Sequence, residues 1–161
     1  VRINQKIWTG PKENPMAIEA EIYAVILKNN KQSLKKENKA HEINLESLTK
    51  VSCVFISSAD AKNYGPISGD INPIHMSKVM AKVFGLKSSL MHGFGLFAII
   101  FEELERNGFI VSELEVKFLR PVYLNNEIQI YLDDQGDKNY ILKVLDDKNQ
   151  LLYMSGHLKT K

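Results

Sequence analysis

Three textures divide the chain: stretches where apolar and polar residues alternate, stretches where apolar residues recur at helical spacing, and stretches with no period. Residues 17–27, AIEAEIYAVIL, partly alternate and end at the polar KNNK, which predicts a strand running into a turn. Residues 31–50 are lysine-rich and without period, and read as a linker or a poorly packed connection. From Val51 the pattern tightens. VSCVFISS alternates as a strand does, and Ser58 is then placed to cap a short helix, ADAKNYG. YGPISGDINPIH follows as a polar loop. SKVMAKVFG sets Val79, Met80, Val83 and Phe84 at helical spacing, with Ser77 as N-cap and Gly85 as stop.

In SSLMHGFGLFAIIFEELERNG the residues Phe94, Leu96, Phe97, Ala98, Ile99, Ile100, Phe101 and Leu104 cover most of a helix circumference. A helix apolar nearly all round is a buried one. Its charges, Glu102, Glu103, Glu105 and Arg106, gather at the end before Asn107-Gly108, so that end should emerge into water. The rest reads as strands joined by turns. SELEVKFLRPVYL alternates, Asn125-Asn126 turns into EIQIYL, DDQGD turns into YILKVL, and DDKN turns into LLYMSGHL. One buried helix followed by successive antiparallel strands implies an α+β domain whose sheet wraps the helix. A weak internal echo, ILKNNKQSL against VLDDKNQLL, is either two similar hairpins or a sign that the first 50 residues are the tail of a related domain.

Composition narrows the function. The 161 residues carry a formal net charge of +2 and are 44% hydrophobic and 25% charged, ordinary for a globular domain with a real core. That balance gives no reason to expect a nucleic-acid partner. The basic run at 28–41 lacks interleaved aromatics and contains a glutamate, so a solvated loop is expected there. The single cysteine, Cys53, alternates with Val51 and Phe55 and reads as a buried structural thiol. No apolar run approaches the roughly 20 residues that span a membrane, and the N-terminus lacks a signal-peptide pattern, so the location expected is cytoplasmic.

The chemistry concentrates in YGPISGDINPIH, residues 64–75. Asp70 and His75 are five apart around Pro73, not at the spacing of a metal-binding helix, and His92 is the only other nearby candidate ligand, so no metal is expected. Ser68 lacks a nucleophile-elbow context, so a serine triad is not expected either. A carboxylic group and an imidazole facing one small volume can hold a water and move two protons, which is the equipment for adding water across a double bond. Asn72 can orient that water or brace the loop. MHGFG, residues 91–95, puts Gly93 at the head of the buried helix, where free N–H groups and the helix dipole can polarise a thioester carbonyl. The plainer readings are that Asp70 caps a turn and His75 bonds the backbone.

Ser68, Gly69, Asp70, Asn72, Pro73, His75, then Ala81 and Gly85, then His92 and Gly93, stand in a familiar order. The stretch resembles the MaoC-like dehydratases, the (R)-specific enoyl-CoA hydratase group of the hot-dog fold. Its pattern is Ser-Gly-Asp-x-Asn-Pro-x-His, a helix with Ala and Gly, then His-Gly-Met. VKFLRPVYLNNE resembles that family's later strand. The resemblance covers about residues 51–161 and leaves 1–50 as an N-terminal extension, for which a remnant of a preceding hot-dog half is one reading. It implies a long central helix wrapped by an antiparallel sheet, domains that pair as homodimers or tandem halves, and an acyl thioester bound near the pairing interface. It implies Asp70 and His75 as the catalytic pair, His75 activating water and Asp70 protonating the α-carbon. Asn72, His92 and Gly93 are its candidate substrate-binding residues, Gly93 through an oxyanion N–H. No cofactor is implied, and the partner is an acyl-CoA or acyl-carrier-protein thioester. A carrier-protein dehydratase and a non-catalytic acyl-thioester-binding module are the alternatives. Phe94 departs from the family's Met, and Ser77 stands where an acid is frequent.

Overall fold

In the computed structural model the described residues are 2–8, 16–23, 45–146 and 151–161, the first two stretches by backbone alone. The basic run at 28–41 and the first arm of the echo therefore lie outside them, as does the connection expected over 31–50 as far as residue 44. The chain divides into two compact units, Val1–Lys39 and Ala40–Lys161. In the first, strand β1 (Arg2–Trp8) pairs antiparallel with β2 (Met16–Tyr23). The alternation at 17–27 anticipated β2; β1 was not anticipated.

The second unit is a five-stranded antiparallel sheet with four helices inserted after its first strand. Strand β3 (Thr49–Ile56) leads into α1 (Ser58–Ser68), α2 (Pro73–Met76), α3 (Lys78–Val83) and α4 (Gly93–Arg106). Then come β4 (Val111–Phe118), β5 (Asn126–Asp134), β6 (Asn139–Asp146) and β7 (Leu151–Thr160). The sheet order is β3-β5-β6-β7-β4. Strands β5 to β7 form the expected meander, turning through Asn125, Gly136, Asp137 and Lys138, all at positive φ. Strand β4, however, pairs with β7 rather than with its successor β5. The cause lies in LRPVY. Pro121 has no N–H for a ladder and restricts the residue before it. Leu119 and Arg120 both donate to the Tyr153 carbonyl, and Val122 accepts from Met91 N at 2.9 Å. The chain thus leaves the sheet after Phe118 and crosses the head of α4.

The core lies between α4 and the sheet. Leu96, Ile100 and Leu104 meet Ile56, Ile128, Ile130, Leu142, Val144, Met154 and Leu158, all nearly fully buried. Removing each such side chain from water contributes roughly 1.5–3 kcal/mol. Helix α4 is not buried all round, as its composition suggested. Phe94 is 50% and Phe101 39% exposed, and Ala98 lies exposed between them. These three follow one another at i, i+4 and i+7, a second apolar stripe that the core of the described residues leaves exposed. The charged end does emerge: Arg106 pairs with Glu102 at 2.6 Å and Glu103 at 3.3 Å, both bonds near solvent. Cys53, expected to be buried, is exposed on β3, which lies at the edge of the sheet.

A buried polar cluster fixes the β5–β7 end of the sheet. The Tyr153 hydroxyl accepts from Asn126 Nδ2 at 3.0 Å and donates to Asp146 Oδ2 at 3.4 Å. Burial, and after it the Asp146 carboxylate, holds the Tyr153 phenol above its ordinary range. A raised phenol contributes stability that is whole below the unfolded value, near pH 10, and is lost as pH rises through the folded value. Tyr153→Phe should cost roughly 1–3 kcal/mol at neutral pH. The gap between variant and wild type should narrow above about pH 10. Urea midpoints across that range, with phenolate absorbance alongside, check both.

Candidate active site

The signature residues form two short helices and the turn between them, not one loop. Ser57, rather than Ser58, caps α1: its Oγ accepts from Asp60 N, and Asp60 Oδ2 accepts from Ser57 N at 2.6 Å, a complete capping box. The helix runs on through Pro66 to Ser68 and stops at Gly69, whose φ of +76° a residue with a Cβ would adopt only with strain. Ser68 Oγ donates to Gly65 O and accepts from Asp70 N. Asp70 Oδ1 accepts from Asn72 N at 3.3 Å, which leaves Oδ2 free to face elsewhere. Asn72 is the N-cap of α2, its Oδ1 accepting from Ile74 N, and Pro73 opens that helix. Ser77 caps α3 as expected, and Gly85 follows that helix at φ +79°.

These local bonds carry His75 into the protein. Its side chain is 9% exposed, and Nδ1 lies 2.8 Å from the carbonyl oxygen of Leu90. A carbonyl only accepts, so Nδ1 carries the proton and Nε2 keeps a lone pair. That Nε2 sits 3.8 Å from Asp70 Oδ2, whose side chain is 52% exposed. The gap is too long for a hydrogen bond, but a water about 2.8 Å from each atom closes a triangle over it.

Behind the pair stands His92, 2% exposed, its ring stacked on that of His75 with centroids 3.9 Å apart. Its Nε2 lies 2.8 Å from the backbone carbonyl of Asp70. Donor atoms of Asp70, His75 and His92 fall within 4.8 Å of one another. Lone pairs of imidazoles lie in the ring plane, and two rings stacked at 24° do not aim theirs at one point.

Gly93 begins α4, so its N–H has no partner within the helix. It borders a cavity of about 290 Å³ shared with Leu90, Met91, Leu96, Phe118 and Arg120. A Cβ at Gly93 would lie 3.7 Å from the Phe118 ring. His75 borders a second cavity, of about 200 Å³, with Ser58, Lys62, Lys78 and Ser89. The structure thus gathers Asp70, His75 and His92 into one cluster. Asn72 serves the turn that carries Asp70, and Gly93 directly follows His92. Tyr64, Gly65 and the Leu90 carbonyl were not anticipated, because backbone acceptors and packing neighbours leave no motif.

The family model described as a MaoC like domain matches residues 42–150. The chain belongs to this family. Among curated relatives, 3-hydroxyacyl-thioester dehydratase X of Mycobacterium tuberculosis is 30% identical over 87 residues, 54% of this chain and 31% of that protein. The chain therefore spans less than a third of that relative. Among solved structures, R-hydratase PhaJ1 from Pseudomonas aeruginosa superposes with a TM-score of 0.60 at 21% identity, over 69% of this chain and 76% of that one. A MaoC-like dehydratase from Phytophthora capsici gives 0.61 at 20% identity, over 68% and 39%. The MaoC-like fold is the hot-dog fold expected from the signature, with α4 as its central helix. Among the described residues no helix is long and apolar enough to cross a membrane.

Proposed function

We propose that this protein hydrates trans-2-enoyl thioesters to (R)-3-hydroxyacyl thioesters, reversibly and without a cofactor. The observation that carries this reading is the orientation of His75: Nδ1–H is anchored on Leu90 O and the bare Nε2 faces Asp70 Oδ2. The names of the matched relatives, an R-hydratase and a 3-hydroxyacyl-thioester dehydratase, support the same chemistry.

The thioester carbonyl docks on the Gly93 N–H. His75 Nε2 takes a proton from the bridging water as its oxygen bonds to C3. The π electrons move into the thioester, and the enolate oxygen is stabilised at the head of α4. The imidazolium passes that proton across the gap to the Asp70 carboxylate, which delivers it to C2. Atoms and charge balance, and the pair is restored. Lys62 and Lys78, beside the cavity that touches His75, suit the anionic carrier, either CoA or an acyl-carrier protein.

The test is loss of conjugated-thioester absorbance with crotonyl-CoA and longer enoyl-CoAs, the product's handedness being read with a stereospecific dehydrogenase. An (R) product supports the reading. Enoyl-CoA binding without turnover, on CoA and carrier-bound substrates alike, would make the protein a binding module and sink the hydratase.

The uncovered stripe Phe94, Ala98, Phe101, with Phe118 43% exposed on edge strand β4, supports pairing with a second copy. Phe101→Glu should shift the protein to monomer in sedimentation. A wild type already monomeric at tens of micromolar would end the homodimer reading.

A further inference from the structure

We infer that His92 is a positioning residue, which locks the backbone of Asp70 to the head of α4 and does not itself meet substrate. The inference rests on the acid–base reading of Asp70 and His75. Three observations carry it. The ring is 2% exposed, so substrate has no surface to touch. Its Nε2 lies 2.8 Å from the Asp70 carbonyl, and since that oxygen only accepts, the ring is the Nε2–H tautomer and donates. Its Nδ1 is buried with no hydrogen-bond partner among the described residues, which disfavours a proton there.

The bond matters because of where its two ends lie. Asp70 follows Gly69 in an exposed turn whose other tethers are local bonds of 3.3 Å. The His92 bond spans 22 positions of sequence and is the shortest hydrogen bond holding this turn to another element among the described residues. His92 immediately precedes Gly93, the proposed oxyanion donor. One imidazole therefore sets the spacing between carbonyl site and acid, and its stack on His75 sets the base in the same frame. Gly65 completes the cradle. A Cβ there would lie 3.1 Å from Asp70 O and 3.7 Å from His92 Nε2, so a side chain at this position would press the turn away from the ring by a few tenths of an ångström. Tyr64, its ring 5.1 Å away, covers the remaining side of His92.

The test uses His92→Phe, which keeps a buried ring for the stack but donates nothing, and His92→Gln, whose amide can still reach the Asp70 carbonyl. For enoyl-CoA hydration His92→Phe should lower kcat roughly 100-fold, the scale set by misplacing a reacting group. KM should stay within a few-fold, and His92→Gln should recover most of the loss. A rise in KM with kcat unchanged would make His92 a substrate contact and overturn the inference, as would an unaltered kcat in His92→Phe. Long-range nitrogen–proton spectra of the wild type give a readout that does not depend on turnover. They should show His92 as Nε2–H and His75 as Nδ1–H, with the Asp70 and Ile71 amide signals displaced in His92→Phe and restored in His92→Gln. If wild type hydrates nothing but these signals behave so, the hydration reading fails and the tether stands. A His92 proton on Nδ1 removes the tether whatever the activity.

Discussion

Asp70→Asn and His75→Ala should each lower kcat for crotonyl-CoA hydration by at least roughly 100-fold while leaving KM within a few-fold. Asparagine keeps the shape of Asp70, including the oxygen that accepts from Asn72 N, so the turn survives. It loses only the ability to exchange a proton at the position facing His75 Nε2. His75→Ala removes the base and also deprives the Leu90 carbonyl of its donor, a loss worth about 1–3 kcal/mol of stability. Its activity is therefore compared well below its own melting midpoint, while Asp70→Asn should melt close to wild type. Doubling the defects should add little, because the two groups act on one proton circuit. Hydration that survives both single substitutions at near wild-type rate would remove Asp70 and His75 from the chemistry.

The nearness of Asp70 and His75 was legible in the sequence as a motif, although the two helices and the turn that produce it were read as one polar loop. Gly69 supplies a left-handed stop, Asn72 a cap, Pro73 a first helical residue, and Ser77 the next cap. Local rules act over a few residues, so spacing alone carried Asp70 and His75 to one place. One local rule was misread: Ser57, not Ser58, caps α1, because Asp60 stands three positions on and completes the capping box. The rest of what spacing did not carry was long-range. Helix α4 looked buried all round, since hydropathy does not distinguish a face covered by this chain's core from one left for another surface. The pairing of β4 with β7 could not be read from VKFLRPVY, although Pro121 marks where the strand must end. His92 showed as a candidate ligand or substrate contact, because nothing in MHGFG reveals that its partner is a carbonyl 22 positions earlier.

Gly156 lies in a strand that alternation read correctly, yet it carries the largest stability effect expected here. Gly156→Ala should cost about 3 kcal/mol or more, at the upper end of overpacking. The residue sits in β7, opposite Leu142 of β6 on one side and Val116 of β4 on the other. A Cβ there would fall well inside contact distance of the Glu115 carbonyl oxygen. It would also lie 3.1 Å from Glu115 C and Val116 Cα. All three atoms are backbone, so no rotamer change relieves the clash, and β4 must move away from β7. Among the described strands β4 pairs only with β7, and it ends at Phe118, the ring that stands over Gly93. The surviving folded protein should therefore also turn over more slowly, through a displaced wall of the Gly93 cavity. Gly136→Ala is the control. That glycine has φ +81° and no atom within 4 Å of where a methyl would stand, so it loses only backbone comfort, about 1 kcal/mol. Urea midpoints with unchanged slopes measure both. Should Gly156→Ala lose no more than Gly136→Ala, β4 and β7 do not approach one another as closely as the structure has them.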